Sequence, residues 1–151
     1  MLPEELVEEI ASEMESIEEL FSKYAPLLEK VKGKDPDFFE LGALAMLLHS
    51  FYNGLENIFT RIAKRIDDKL PAGKDWHKEL LEQMAATTDK RDCAVIKAET
   101  ASMLKMFLGF RHFTRHAYAF DFNWAMMRNL VFSAADAKEK VFEDLKVFLK
   151  K

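Results

Sequence analysis

The segment LGALAMLLHSFYNGLENIFTRIAKRI, running from Leu41 to Ile66, decides the fold, because Leu41, Leu44, Leu48, Phe51, Leu55, Ile58, Ile62 and Ile66 recur at helical spacing. On an α-helix these positions form one continuous apolar stripe. A stripe of that length predicts a helix at the centre of a bundle, touched by several others. Asn53, Gly54 and Glu56 interrupt its chemistry halfway along. A mid-helix glycine costs about 1 kcal/mol relative to alanine, so Gly54 points to close approach by another helix or a ligand. Asn53 and Glu56 are read as lining a cleft or a subunit seam.

Towards the N-terminus, Pro3 is a favoured first-turn proline for a helix carrying Leu6, Ile10, Ile17, Leu20 and Tyr24. Pro26 is expected to kink or end that helix, and Gly33 to Pro36 reads as a loop. In the other direction, Pro71 and Gly73 break the central pattern, and a shorter helix follows around Trp76 to Met84. Thr87 to Asp92 is a polar connection. A fourth helix is predicted from about Cys93 or Lys97 to about Ala117. Asp121 or Asn123 is then placed to cap a last helix through Trp124, Met127, Val131, Val141, Leu145 and Phe148.

No segment shows the period-two alternation of a half-exposed strand. The expected fold is therefore all-α, an up-and-down antiparallel bundle of four long helices plus a short one, because short connections favour antiparallel neighbours. The chain has 151 residues and is 49% hydrophobic, enough for one core and one domain over residues 1–151. Its single cysteine, Cys93, excludes an internal disulfide. With no signal-like or long apolar run, the expectation is a soluble, cytoplasmic protein without a membrane partner.

The net charge of -4 conceals a contrast. Residues 1–40 carry 12 acidic and 4 basic side chains, whereas residues 41–151 carry 14 acidic and 18 basic ones. The glutamates of the first helix read as its solvated face. The remainder is basic enough for a locally positive cleft to hold a phosphate backbone, since binding follows the local field rather than the total charge.

That cleft is expected around Phe110-Arg-His-Phe-Thr-Arg-His-Ala-Tyr118, where two arginines, two histidines and a tyrosine interrupt the stripe begun by Ala101, Leu104 and Leu108. A guanidinium offers a planar fork of donors matched to phosphate oxygens. An imidazole exchanges protons near neutrality, as attack by a ribose 2'-hydroxyl on its neighbouring phosphodiester requires. On a straight helix Arg111 and His116 diverge by about 140°. To serve one phosphate, either the helix must loosen or the two must come from different subunits across a two-fold axis.

Arg111, four residues, His116, one residue and Tyr118 form an R-x4-H-x-Y motif that resembles the HepT-like branch of the HEPN superfamily. His112 fits the polar position after the arginine. The segments Leu48 to Phe59 and Leu70 to His77, and Trp124 after the motif, also look like this family. The resemblance extends from about Leu41 to about Val131; the first helix matches only in kind.

The resemblance implies a HEPN-like bundle acting as a metal-independent endoribonuclease toxin of a prokaryotic type VII toxin-antitoxin pair. It implies a homodimer whose two motifs line one cleft, with RNA as substrate. Arg111 and His116 would be the catalytic pair and His112 a supporting group. It further implies an MntA-like nucleotidyltransferase antitoxin that silences the toxin by transferring AMP to Tyr118. Arg115 and Asn53 are candidate RNA or cleft contacts.

Plainer readings stand beside these. Arg111 and Arg115 also suit bundle-end arginines whose stems cover apolar surface, and Tyr118 suits an amphipathic residue at a helix end. His49 and His77 read as packed, hydrogen-bonded histidines. His112 and His116 have helical zinc spacing, but no glutamate lies between them and no third ligand is apparent. Neither metal nor cofactor is assigned. The alternative function is a non-catalytic subunit presenting substrate to a nucleotidyltransferase.

Overall fold

The computed structural model describes residues 2–151. Five α-helices follow in order: α1 Glu4–Lys30, α2 Phe38–Arg65, α3 Trp76–Met84, α4 Ala98–Thr114 and α5 Trp124–Leu149, with a 3-10 turn at Ala119–Asp121 between the last two. The architecture is the expected all-α bundle, HEPN-like, with four long helices and a short one. Among the described residues there is no strand, only an isolated bridge between Thr88 and Arg91. No described helix is long and apolar enough to cross a membrane.

Local chemistry sets the helix starts. At the head of α2 the Asp37 carboxylate accepts from the Glu40 N–H at 2.9 Å while the Glu40 side chain accepts from the Asp37 N–H at 3.0 Å. This reciprocal arrangement satisfies two donors that the first turn would otherwise leave free. Asn123, one of the two residues proposed to cap the last helix, accepts from the Met126 N–H at 2.8 Å. Pro3 is the cap residue of α1 rather than a member of its first turn.

Packing places α2 at the centre, in contact with each of the other four helices. Leu44, Leu48, Phe51, Leu55, Ile58 and Ile62 are fully buried. Phe51 meets Phe21 of α1 edge-on at 5.3 Å between ring centroids and Phe107 of α4 at 5.5 Å. Antiparallel pairing of α1 and α2 is fixed at both ends, by Arg61 with Glu9 at 3.1 Å and Lys30 with Glu40 at 2.6 Å. Between them Gly54 admits Ile17: a Cβ at position 54 would lie 2.9 Å from Ile17 Cγ1. The close approach inferred from this glycine is therefore that of a helix.

Two boundaries depart from expectation. Pro26 lies inside α1, which continues to Lys30. Proline there removes one hydrogen bond, and the packing of Tyr24, Leu27, Leu28 and buried Val31 against the core outweighs the loss. The second difference is at α4, which ends at Thr114 rather than near Ala117. There the ladder tightens to a three-residue step, the His116 N–H reaching the Phe113 carbonyl, while the Thr114 hydroxyl donates to the Arg111 carbonyl at 2.8 Å.

The Thr87 to Asp92 connection is more than a spacer. Arg91, buried within it, donates from Nε and Nη2 to the two carboxylate oxygens of Asp67, each at 2.9 Å. It also donates to the carbonyls of Gln83, Ala86 and Cys93. Gln83 of α3 donates in turn to Asp67 at 2.8 Å. One guanidinium thereby ties the end of α2, the end of α3 and the approach to α4 together, and so sets the positions of the elements that build the cleft.

Candidate functional site

Arg111 is carried on the last full turn of α4, where its side chain turns inward and is only 15% exposed. It meets two side chains from other helices. Nη1 lies 3.4 Å from His77 Nε2, and Nε lies 3.8 Å from Glu56 Oε1. The second oxygen of Glu56 stands 2.6 Å from His77 Nδ1. Glu56 from α2, His77 from α3 and Arg111 from α4 therefore close a three-membered polar cluster inside an apolar bundle.

Each member accounts for another. A carboxylate as buried as Glu56 is costly unless paired, and the imidazole and the guanidinium supply that pairing. Arginine has donors only, so His77 Nε2 must accept; Nδ1 then carries the proton and donates to Glu56. Two polar atoms remain over: among the described residues, the buried Arg111 Nε and Tyr52 hydroxyl have no hydrogen-bond partner. Burial pushes the Tyr52 hydroxyl pKa well up, the Glu56 carboxylate pushes it further, and Arg111 pulls in the opposite direction. Tyr52 is therefore held as the neutral phenol beneath the cluster.

Above the cluster lies a cleft of about 630 Å³. Arg111, His112, Arg115 and His116 of the motif all border it, joined by His77. Lys74, Lys78 and Lys105 make its rim strongly basic, with Asp75 as the acidic exception. Arg111 and His116 reach the same cleft from one chain because α4 stops between them: Arg115 is the cap residue, and the His116 N–H donates to the Phe113 carbonyl. The helix thus loosens between Arg111 and His116, one of the two geometries open to the motif; the other requires a second subunit. His112 and His116 are exposed, with ring centroids 5.7 Å apart.

Tyr118 does not border the cleft and is 70% exposed. It follows the end of α4 in extended conformation, its N–H held by Asp121 at 2.9 Å. Its ring stacks on Phe120, itself 73% exposed, with the planes 6° apart. Asn53 stands exposed on α2, outside the cleft-lining residues. His49 lies on α2, half-buried and also outside the cleft lining.

Among the described residues no group of three or more His, Cys, Asp or Glu side chains could hold a metal ion. The cleft presents arginine, lysine and imidazole, groups suited to an anionic, phosphate-bearing ligand.

The family model described as HepT-like protein matches residues 43–151, which include α3, α4, α5, most of α2 and every residue of the cleft. The chain belongs to the HepT-like family. It is a HepT-like member of the HEPN superfamily, with α1 outside the matched span. No curated protein and no solved structure matches it.

Sequence reasoning passed over two parts of this HepT-like site. His77 was expected to be packed and hydrogen-bonded, and it is, yet its ring also opens on the cleft. Glu56 was noticed as odd without its partners, which lie 21 residues away at His77 and further still at Arg111. The available signal was a glutamate close to the apolar stripe of a central helix, since such a group demands a buried cation or imidazole.

Proposed function

We propose that this HepT-like protein is a metal-independent endoribonuclease toxin, in which Arg111 steadies charge on the scissile phosphate and His116 exchanges protons with the ribose and leaving oxygens. The observation that carries this reading is the shared cleft: a guanidinium and an imidazole at R-x4-H spacing border one basic hollow. Such a hollow concentrates polyanions, and preorganised donors are worth most where water is displaced. His112 and Arg115 supply further positive or polar contacts to the RNA.

In the same reading, Tyr118 is the site at which an MntA-like nucleotidyltransferase antitoxin attaches AMP from ATP. Its exposed hydroxyl, displayed beside Phe120, is reachable by a second protein. An adenylate two residues from His116 would add charge and bulk where RNA must enter. The toxin works as a homodimer; exposed Phe39 and Met46 on one face of α2, and Met106 on α4, provide apolar surface that such an association would cover.

The deciding experiment is incubation of RNA with purified protein in EDTA, comparing wild type with Arg111→Ala and His116→Ala. Cleavage by wild type and a fall of about 10²–10⁴-fold in each variant are expected. Equal rates in all three, or an inert wild type that nevertheless binds RNA, would favour a non-catalytic subunit that presents substrate to the nucleotidyltransferase.

A further inference from the structure

Cleavage by 2'-hydroxyl attack needs a group that removes a proton from the nucleophile and one that returns a proton to the leaving oxygen. The catalytic pair of the motif, Arg111 and His116, provides one imidazole for both tasks. The cleft contains another that is better prepared for the first. His77 borders the cleft, its Nδ1–H is fixed on Glu56 Oε2 at 2.6 Å, and its Nε2 lone pair faces Arg111 Nη1 at 3.4 Å. A carboxylate behind an imidazole fixes tautomer and ring orientation and stabilises the imidazolium that forms when the ring takes a proton.

We propose that His77 is a catalytic residue, the general base of the RNA cleavage, oriented by Glu56. The proposal rests on the nuclease reading given above. At 3.4 Å the contact between Arg111 and Nε2 is long for a hydrogen bond, so a phosphate arriving at the guanidinium competes for Nη1 and frees the lone pair beside it. The 2'-hydroxyl then gives its proton to Nε2 and its oxygen bonds to phosphorus. The bond from phosphorus to the 5'-oxygen breaks, and His116 protonates that oxygen. The products are a 2',3'-cyclic phosphate and a 5'-hydroxyl, with His77 left protonated and His116 neutral; exchange with water resets both.

The charged and titratable groups around His77 come from every element packed near it: Glu56 on α2, Lys74, Asp75 and Lys78 at the head of α3, and Lys105, Arg111, His112, Arg115 and His116 on and beyond α4. Glu56 alone among them both touches the ring and can accept its Nδ1 proton. That contact is what distinguishes His77 from His112 and His116, whose rings are exposed and have no carboxylate partner among the described hydrogen bonds.

The test follows pH-rate profiles of full-length wild type, His77→Ala, His77→Gln, Glu56→Gln and His116→Ala. Each acts on one RNA oligomer with its natural 5'-oxygen leaving group and on the same oligomer with a 5'-bridging sulfur, which departs without protonation. Thermal melts confirm that each variant is folded. The expected result for His77→Ala is a loss of about 10²–10⁴-fold on both oligomers, disappearance of the acidic limb of the profile, and partial recovery with added imidazole. His116→Ala should instead recover on the sulfur oligomer. Glu56→Gln, which keeps the acceptor and drops the charge, should lose less than His77→Gln.

Wild-type rates in His77→Ala, or a slower variant that retains the acidic limb and ignores imidazole, would overturn the assignment while leaving the nuclease reading intact. A wild type that cuts neither oligomer overturns both.

Discussion

Asp67 and Arg91 face each other through two parallel hydrogen bonds, Nε to Oδ1 and Nη2 to Oδ2, both 2.9 Å long. Burial alone would push the Asp67 carboxyl up, but the bonds from Arg91, Gln83 and Thr88 outweigh it and hold its pKa below the ordinary value. A carboxyl depressed in the folded state contributes stability that is complete above the unfolded value, about 4. That contribution is lost as pH falls through the folded value. Asp67→Asn is therefore expected to flatten the acid limb of a urea-unfolding series. Because Arg91 is left buried and unpaired, the variant should lose about 3–5 kcal/mol near neutrality. An unchanged acid limb would contradict the pairing.

Tyr118 makes a mass prediction. Incubated with ATP and an MntA-like nucleotidyltransferase, the wild-type protein should gain one or more adenylate masses and lose RNA cleavage. Tyr118→Phe should gain none and remain active in the presence of the partner. Since the hydroxyl is exposed and its ring packs on Phe120 rather than into the core, the substitution should leave the thermal midpoint almost unchanged. Intact-mass spectrometry reads the first outcome and a thermal melt the second; an adduct elsewhere on the chain would remove the tyrosine from its role.

Arg115, exposed at the cleft rim, is expected to act through phosphate contact alone. Arg115→Ala should weaken RNA binding across unrelated sequences and reduce the slope of log affinity against log salt by about 1. Fluorescence anisotropy at several salt concentrations measures both quantities, and an unaltered slope would exclude a phosphate contact.

Gly54 tests the packing of α1 on α2. Gly54→Leu drives a side chain into Ile17 and should cost about 3 kcal/mol. Adding Ile17→Ala should restore part of that loss, a coupling visible in a double-mutant cycle of urea unfolding. Additive penalties would mean that the clash is relieved elsewhere.

The bundle was legible because its information is local and periodic. The α2 stripe, the Trp76 to Met84 helix and the Asn123 cap each depend on residues within a turn or two of one another. Pro26 misled for the converse reason. Its local penalty is real, but the contacts of Tyr24, Leu27 and Val31 that overrule it are made with other helices. The end of α4 at Thr114, where the His116 N–H turns to the Phe113 carbonyl three residues back, is marked by no proline or glycine in the sequence.

The same division runs through the site. Arg111, His112, Arg115 and His116 lie in one short motif, and their residue types announce an anion. His77 and Glu56 belong to other helices, and nothing along the chain announces that they meet. Arg91 was hidden in the same way: within a run of polar residues a buried arginine looks like any solvated one, until Asp67 is brought beside it.

The contact of Ile17 with Gly54 has a consequence for attempts to shorten this protein. The family-matched span opens at Ala43, yet Leu6, Ile10, Met14, Ile17 and Phe21 of α1 supply a full side of the core. A fragment begun at Ala43 would leave one flank of α2 bare to water as an oily furrow. Such a piece would clump or recruit a substitute helix, so the motif is inherited usefully only together with the acidic strut that shields it.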